Sequence, residues 1–403
     1  VRAVNRWRRF SALALANCLL LAGCAGAGQR VPAGLAGVGK LPRPASAWPQ
    51  AGYDARHSSA SAAIGPQQGR LRWSAQLAGD LTPGPVIGID GSVLQASNSG
   101  VLYALDPATG KQRWHYDAKQ GYGSDLSTSP AVLTDGTILW PGPLGTLYAL
   151  TAHGTLAWRE RLGDDLLSPA VAGAGRVYVA DLSGQLTALE VGNGQHRKAW
   201  TLDLGDQDLA SPTVGPDGTI YTVAGRYLVA VRDLGDRGVR RWRFRSKDKL
   251  EVSNAVSSDG IVMLGTNADK QYGIRSDGKQ AWAYDKGEFT YSSSVITPSG
   301  KAYFGDNQGR LTVLAASDGK QLLRVQGSST PRTASIWTSV AVDGRGDFYF
   351  ATVTGRIYGF DPSGKQLFEL DAGAAVHSYP AIGADGTLYF GTVAGKLLAI
   401  APG

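Results

Sequence analysis

Sulfur and histidine are scarce in this chain of 403 residues, which contains two cysteines, one methionine and five histidines. Both cysteines, Cys18 and Cys24, lie near the amino terminus, so the rest of the chain has no thiol for a disulfide, a cysteine-based metal site or a nucleophile. The histidines do not form a metal-ligand motif such as H-E-x-x-H. These absences exclude disulfide scaffolds, zinc modules and thiol enzymes.

Other signatures of catalysis are also missing. The chain has neither the G-x-S-x-G turn of serine hydrolases nor the glycine-rich loop of nucleotide-binding enzymes. Beyond residue 30 no segment shows sustained helical periodicity, and beyond residue 23 no apolar run is long enough to span a membrane. We therefore expect an all-β protein that is not an enzyme, with no catalytic residue, no metal site and no bound cofactor.

The first 23 residues differ from the rest of the chain. Four arginines precede an apolar stretch, SALALANCLLLAG, that is too short for a permanent membrane helix. The stretch ends in Leu-Ala-Gly before Cys24, which resembles the lipobox of bacterial lipoproteins. We predict a lipoprotein signal peptide over residues 1–23 and lipidation of Cys24; an ordinary signal peptide with a chance cysteine is the alternative.

Residues 24–47 are rich in glycine, alanine and proline and contain too few apolar side chains for a core, so we predict a flexible tether. Alanine after the lipobox cysteine resembles the sorting signal for the outer membrane, which predicts an envelope protein facing the periplasm. Loss of the four leader arginines lowers the formal net charge of +7 by four. The lower charge removes the main support for nucleic-acid binding, so we expect no nucleic-acid partner. We expect membrane contact through the lipid anchor only.

A repeat occupies residues 48–403. Each unit opens on a short run of small residues, such as STSPAV at 127–132, and its closing residues recur every 40 to 45 positions. The closing residues are Trp114, Trp158, Trp200, Trp242, Trp282, Leu323 and Phe368.

Asp-Gly turns between short alternating apolar runs predict hairpins, and each unit has room for four strands. Repeated four-stranded units of about 40 residues predict a β-propeller with eight blades. The last unit ends without a closing strand, whereas Leu71–Trp73 precedes the first unit. We expect this N-terminal strand to complete blade eight and close the ring.

The ending A-L-D-x-x-T-G-K-x-x-W, seen at residues 104–114, resembles the PQQ-like β-propeller repeat that quinoprotein dehydrogenases share with BamB-like lipoproteins. Residues 48–59, WPQAGYDARHSS, resemble the segment that precedes the first blade in such proteins. The dehydrogenases usually carry an adjacent cysteine pair over the quinone, calcium ligands and an aspartate base, and this chain has no such pair.

The resemblance to BamB-like lipoproteins implies a monomeric, lipid-anchored scaffold that binds envelope proteins, among them a β-barrel assembly complex, and takes part in outer-membrane protein assembly. A quinone- or sugar-binding propeller related to the dehydrogenases is the alternative.

Carboxylates recur near the start of several units, about five residues before the opening proline. They are Asp80, Asp125, Asp164 and Glu288. Loops at one alignment position lie on one face of a propeller, so this pattern predicts an acidic rim for a partner or ligand. Loop solubility explains the pattern as well.

A break in the repeat marks the last two units. The position before the opening proline is serine or glycine in six units, and our alignment places Trp337 and Tyr379 there in units seven and eight. Alternation puts His377 on the same side as Tyr379. The three residues predict a partner or ligand site near the central channel; packing around an irregular blade is the competing interpretation.

Replacement of Cys24 by alanine is expected to release the protein from membranes, because the tether provides no other apolar anchor. Fractionation of cells with a salt wash measures this, with Cys18→Ala as the matched control. Membrane retention of Cys24→Ala would contradict the lipobox.

Overall fold

The computed structural model describes residues 46–121, 128–171, 175–207, 210–250, 252–327 and 334–402. Within these ranges every regular element is a β-strand, and no helix is long and apolar enough to cross a membrane. The predicted signal peptide, Cys24 and the tether up to residue 45 lie outside the described residues.

In the described part of the chain, eight antiparallel sheets of four strands form the blades of a propeller, which confirms the predicted fold class. Consecutive strands pair in chain order from the axis outwards. Blade one consists of β2 (Val86–Ile87), β3 (Val93–Ser97), β4 (Val101–Leu105) and β5 (Gln112–Asp117), and blade two of β6 (Ala131–Val132), β7 (Ile138–Gly142), β8 (Thr146–Leu150) and β9 (Leu156–Arg161). Blade three consists of β10 (Ala170–Val171), β11 (Arg176–Ala180), β12 (Gln185–Gly192) and β13 (Gln195–Asp203), and blade four of β14 (Thr213–Val214), β15 (Ile220–Ala224), β16 (Tyr227–Asp233) and β17 (Gly238–Arg245).

The other four blades repeat this plan. Blade five consists of β18 (Ala255–Val256), β19 (Val262–Gly265), β20 (Lys270–Ile274) and β21 (Gln280–Asp285), and blade six of β22 (Val295–Ile296), β23 (Lys301–Gly305), β24 (Arg310–Ala315) and β25 (Gln321–Gln326). Blade seven consists of β26 (Ala341–Val342), β27 (Phe348–Ala351), β28 (Arg356–Phe360) and β29 (Gln366–Asp371), and blade eight of β30 (Ala381–Ile382), β31 (Leu388–Gly391), β32 (Lys396–Ile400) and β1 (Leu71–Gln76).

The core lies between blades rather than within them. In one cluster Val86 and Leu94 of blade one pack with Ile138 and Trp140 of blade two, all almost fully buried. A four-stranded sheet with two apolar faces has no stable solvated form, so each blade depends on its two neighbours.

The ring closes through blade eight, in which the first strand of the propeller, β1, joins the last three strands. β1 pairs with β32 in antiparallel register, with Trp73 opposite Ala399 and Gln76 opposite Lys396. The first and last strands of the propeller therefore lie side by side, which confirms the predicted closure and leaves no unpaired seam.

The closing tryptophans join one blade to the next. Trp73 Nε1 donates to the carbonyl of Pro107 at 2.9 Å, and Trp114 Nε1 donates to that of Ala152 at 3.1 Å. A Cβ on Gly110 would lie 2.6 Å from the Trp73 indole, and this glycine also has a φ of 69°. The glycine of the repeated T-G-K turn is thus required both by the backbone conformation and by the indole packed on it.

Residues 46–65, which we call the cover segment, cross one end of the central channel. Its carbonyls accept hydrogen bonds from the second residue of the inner strands of blades one, two and four: Ile87 donates to Trp48, Val132 to Pro49 and Val214 to Ala55. The segment ends on blade seven, where the Gly65 amide donates to Asp343 Oδ2 at 2.8 Å. The cover segment therefore blocks the channel at the end where the inner strands finish, which we call the covered end.

Trp73→Ala is expected to destabilise the whole ring by about 3–5 kcal/mol, because the indole is 9% exposed and holds blade eight against blade one. Thermal unfolding measures the loss. Leu71→Ala on the same strand is the control: Leu71 is 44% exposed, and its truncation is expected to cost less than about 0.5 kcal/mol. Equal melting temperatures for the two variants would contradict closure through this strand.

Candidate functional site

A cavity of about 630 Å³ lies where the inner strands begin, opposite the covered end. We call this the open end. Tyr291, Trp337, His377, Tyr379 and Asp80 are among the residues that line the cavity. Four of these five residues are predicted from the sequence, and the structure brings them together from blades seven, eight and one.

The strand bounds correct our alignment of two blades. The inner strands end at Ile296 in blade six and Val342 in blade seven, which is one and two residues later than we assumed. Ser339, rather than Trp337, therefore occupies the serine position of blade seven. The prediction that Trp337 replaces a small residue is wrong, because a run of small residues before a two-residue strand does not define a unique register.

The corrected register brings three aromatic side chains to the same level. Tyr291, Trp337 and His377 each lie four residues before the inner strand of their blade. Equivalent positions of neighbouring blades are adjacent in space, and the rings are in contact. The Tyr291 and Trp337 centroids are 5.3 Å apart, and those of Trp337 and His377 are 4.9 Å apart.

Phe289 extends this row outwards. Its ring meets Tyr291 edge-on at 5.7 Å, and the two side chains are 40% and 43% exposed. Sequence analysis missed both residues, although Phe289 and Tyr291 alternate directly before the opener of blade six and would have been found with the correct register. The open end thus presents a continuous aromatic surface from blade six to blade eight.

Tyr379 spans the channel below this row. A Cβ on Gly84 of blade one would lie 2.9 Å from Tyr379 Cβ, while the phenol oxygen is 2.5 Å from Ser293 Oγ of blade six. The pKa of the phenol is raised by burial. Tyr379 is the one departure from serine or glycine among the eight equivalent positions, all of which are described, and Gly84 provides the space for it.

The charge in the cavity is negative. The Asp80 side chain is exposed at the rim, and no lysine or arginine occurs among the described residues that line the cavity. Partial burial holds the pKa of His377 below its ordinary value, although the nearby Asp80 carboxylate partly opposes the shift. His377 is therefore uncharged at pH 7, and Asp80 supplies the net charge.

Of the other predicted carboxylates, Asp164 and Glu288 do not line the cavity. Asp164 is exposed on its loop, where its Oδ1 accepts from the Asp165 amide at 2.9 Å. Glu288 Oε1 accepts from Gln308 Nε2 at 2.5 Å. Asp125 lies outside the described residues.

A buried lysine supports the aromatic row. Lys286 is 3% exposed, and its ammonium group donates to the carbonyls of Thr266, Ala268 and Glu288 at 2.6–2.9 Å. Burial lowers its pKa to about 8, partly countered by nearby carboxylates, so it is charged at pH 7. The lysine ties the segment that carries Phe289 and Tyr291 to blade five.

These side chains do not fit a calcium-bound quinone. Calcium takes six to eight oxygen ligands, usually with several carboxylates, whereas Asp80 is the one carboxylate on the described lining. In the described ranges, no group of three or more histidine, cysteine, aspartate or glutamate side chains is placed to hold a metal ion.

Comparison with known proteins identifies the family. The family model for outer membrane protein assembly factor BamB matches residues 57–139, 119–207 and 196–402, which together span most of the chain. The chain belongs to this family. A BamB of Nitrosomonas eutropha is 31% identical over 111 residues, and the match covers 27% of this chain and 26% of that relative, far less than two thirds of its length.

Solved structures confirm the propeller architecture. BamB from Moraxella catarrhalis superposes with a TM-score of 0.64 at 14% identity and covers 82% of this chain and 98% of that one. Quinohemoprotein alcohol dehydrogenase from Comamonas testosteroni gives a TM-score of 0.70 at 14% identity, with 90% and 82% covered. At such identities the likeness shows the fold alone, and the match to the family model confirms the resemblance to the PQQ-like repeat.

Lys286→Met is expected to lower stability by about 2–4 kcal/mol, because three carbonyl oxygens lose a charged donor. Thermal unfolding measures the change, with Lys279→Met as the control, since the Lys279 side chain is 76% exposed. If Lys286→Met unfolds at the same temperature as the control, the lysine does not anchor the aromatic row.

Proposed function

We propose that this chain is a lipid-anchored, non-catalytic scaffold of the cell envelope that binds partner proteins during outer-membrane protein assembly. Membership of the BamB family supports a role in outer-membrane protein assembly, since the matching family model is described as an outer membrane protein assembly factor. The partners would be envelope proteins of a β-barrel assembly complex, and the protein would act as a monomer.

The aromatic surface at the open end is the observation that carries this proposal. Exposed aromatic groups in contact with one another are unusual on a monomer and typical of the centre of protein interfaces. Phe289 and Tyr291 remain more than a third exposed although they are held in place by Trp337 and by the Lys286 anchor. Tyrosine and tryptophan give a large contact area at a low cost in side-chain entropy, which makes them frequent binding hot spots.

The anchor complements this surface. A lipid on Cys24 and a flexible tether of about 23 residues would keep the propeller on the order of 25 Å from the membrane. At that distance the propeller is free to turn its open end toward a membrane-embedded partner. In this proposal the lipid anchor lies in the outer membrane and the propeller faces the periplasm.

The dehydrogenase alternative has less support. Likeness to quinohemoprotein alcohol dehydrogenase rests on the fold, and one fold hosts many activities. The open end supplies an uncharged imidazole and one exposed carboxylate in place of a calcium shell. A bound quinone or sugar remains the alternative ligand class, and the non-catalytic scaffold is the function that these side chains favour.

Photo-cross-linking tests the proposal. A photoreactive phenylalanine at Phe289 in the full-length lipoprotein is expected to form an adduct with a component of the β-barrel assembly complex in intact cells. The control position is Ile89, which is 47% exposed in the turn at the covered end, so it is equally accessible but far from the aromatic surface.

Trp337→Ala is expected to reduce the yield of the adduct at least several-fold, because it removes a large aromatic contact. Its melting temperature is expected to fall by less than that of a variant that loses a fully buried tryptophan, because Trp337 is half-buried. Equal adducts at Phe289 and Ile89 would contradict the proposal. So would oxidation of an alcohol or sugar by the protein with added PQQ and Ca²⁺, if Trp337→Ala abolished it.

A further inference from the structure

The cavity at the open end combines aromatic walls with a single negative charge. Tyr291, Trp337 and His377 form the wall in edge-on and tilted contacts, so their faces are not covered by parallel stacking. Tyr379 adds a fourth ring. Aromatic faces carry a partial negative charge and attract cations.

Asp80 directs this attraction to one side of the cavity. Its carboxylate is exposed at the rim and close enough to His377 to affect that imidazole electrostatically. No cationic side chain occurs among the described lining residues, and His377 is uncharged at neutral pH. Without the four arginines of the predicted leader, the formal net charge of +7 falls by four but stays positive, so a negative cavity stands out from its surroundings.

Among cations, a guanidinium matches the cavity best. It is planar, stacks on aromatic rings and pairs with a carboxylate through two parallel hydrogen bonds, whereas an ammonium ion is compact and strongly hydrated. Thr82 and Asn98 lie beside Asp80 on the lining, where Thr82 Oγ1 donates to Asn98 Oδ1 at 2.9 Å. They provide neutral hydrogen-bonding groups for the backbone that carries the guanidinium.

The size of the cavity indicates a peptide rather than a free ion. About 630 Å³ exceeds the volume of one arginine head group and leaves room for flanking residues. The aromatic row continues past the cavity to Phe289, which is 40% exposed. An extended peptide segment with an apolar residue next to an arginine would contact both the cavity and Phe289.

We propose that the open end binds an arginine side chain from an extended segment of a partner protein. The guanidinium lies against Trp337 and His377 and pairs with Asp80, while a neighbouring apolar side chain lies on Tyr291 and Phe289. This inference rests on the proposed scaffold function and specifies the chemistry of the partner.

Binding of small probes to the full-length protein in detergent tests the recognition step directly. N-acetyl-arginine methylamide is the probe, and N-acetyl-citrulline methylamide is its uncharged isostere. Saturation-transfer NMR and tryptophan fluorescence report binding. The arginine probe is expected to bind at least about ten-fold more tightly than the citrulline probe, and more tightly than the matching lysine amide, because only the guanidinium combines charge with a planar fork.

Variants locate the probe. Asp80→Asn is expected to weaken arginine binding about ten-fold and to remove most of its salt dependence, since a screened charge pair is lost. Trp337→Leu is expected to weaken it as well, with melting temperature recorded to show that the fold persists. Asp164→Asn is the control, because Asp164 is an exposed carboxylate from the equivalent loop of blade three and does not line the cavity. Equal affinity for arginine and citrulline, tighter binding of a neutral sugar, or unchanged binding by Asp80→Asn would overturn the proposal.

The two proposals fail differently. If the photo-cross-linker at Phe289 captures an assembly component and Asp80→Asn does not change the yield, the scaffold function stands and arginine recognition is wrong. If the arginine probe binds through Asp80 but no assembly component is captured, arginine recognition stands and the scaffold function is wrong. A yield that falls at least about five-fold with Asp80→Asn but not with Asp164→Asn supports both.

Discussion

An indole packed on a glycine turn is the contact on which four of the eight blade junctions of this propeller depend. Trp73, Trp114, Trp242 and Trp282 all donate to a backbone carbonyl of the next blade and pack on a glycine with positive φ. Blades six and seven replace the indole with Leu323 and Phe368, which pack on Gly364 and Gly69. Trp158 departs from the pattern and stacks on His196 at 3.7 Å. Because the site is shared by several blades, its geometry depends on these junctions.

The channel is made asymmetric by residues outside the repeat. The cover segment satisfies the amides at the end of inner strands from six of the eight blades, which a symmetric ring would leave open to water. His57 is buried within it, its Nδ1 is 2.9 Å from the carbonyl oxygen of Asn254, and burial lowers its pKa. One end of the channel is occupied by the cover segment, and the irregular aromatic residues are found at the other end.

The site shows how far repeat analysis reaches. Trp337, His377 and Tyr379 can be selected from the sequence, and all three line the cavity. The position of Trp337 was misassigned, and Tyr291 was missed for the same reason: inner strands of two residues carry too little pattern to define their register. Of the predicted acidic rim, Asp80 lines the cavity, whereas Glu288 accepts a hydrogen bond from Gln308 instead. The position of a residue in the repeat alignment predicts which face of the propeller it occupies, but it does not predict which groups its side chain contacts.

The sequence by itself determined the all-β class, the number of blades, the closing strand and the family, because each depends on a pattern repeated about every 40 residues. Tertiary structure decided which irregular residues meet. Phe289 and His377 belong to different blades, and only the angle between blades brings them into one surface. It also decided the lowered pKa of His377 and the role of Lys286, since both depend on burial by segments distant in sequence. Local patterns specify strands and turns, whereas contacts across the ring arise only when all eight blades are closed.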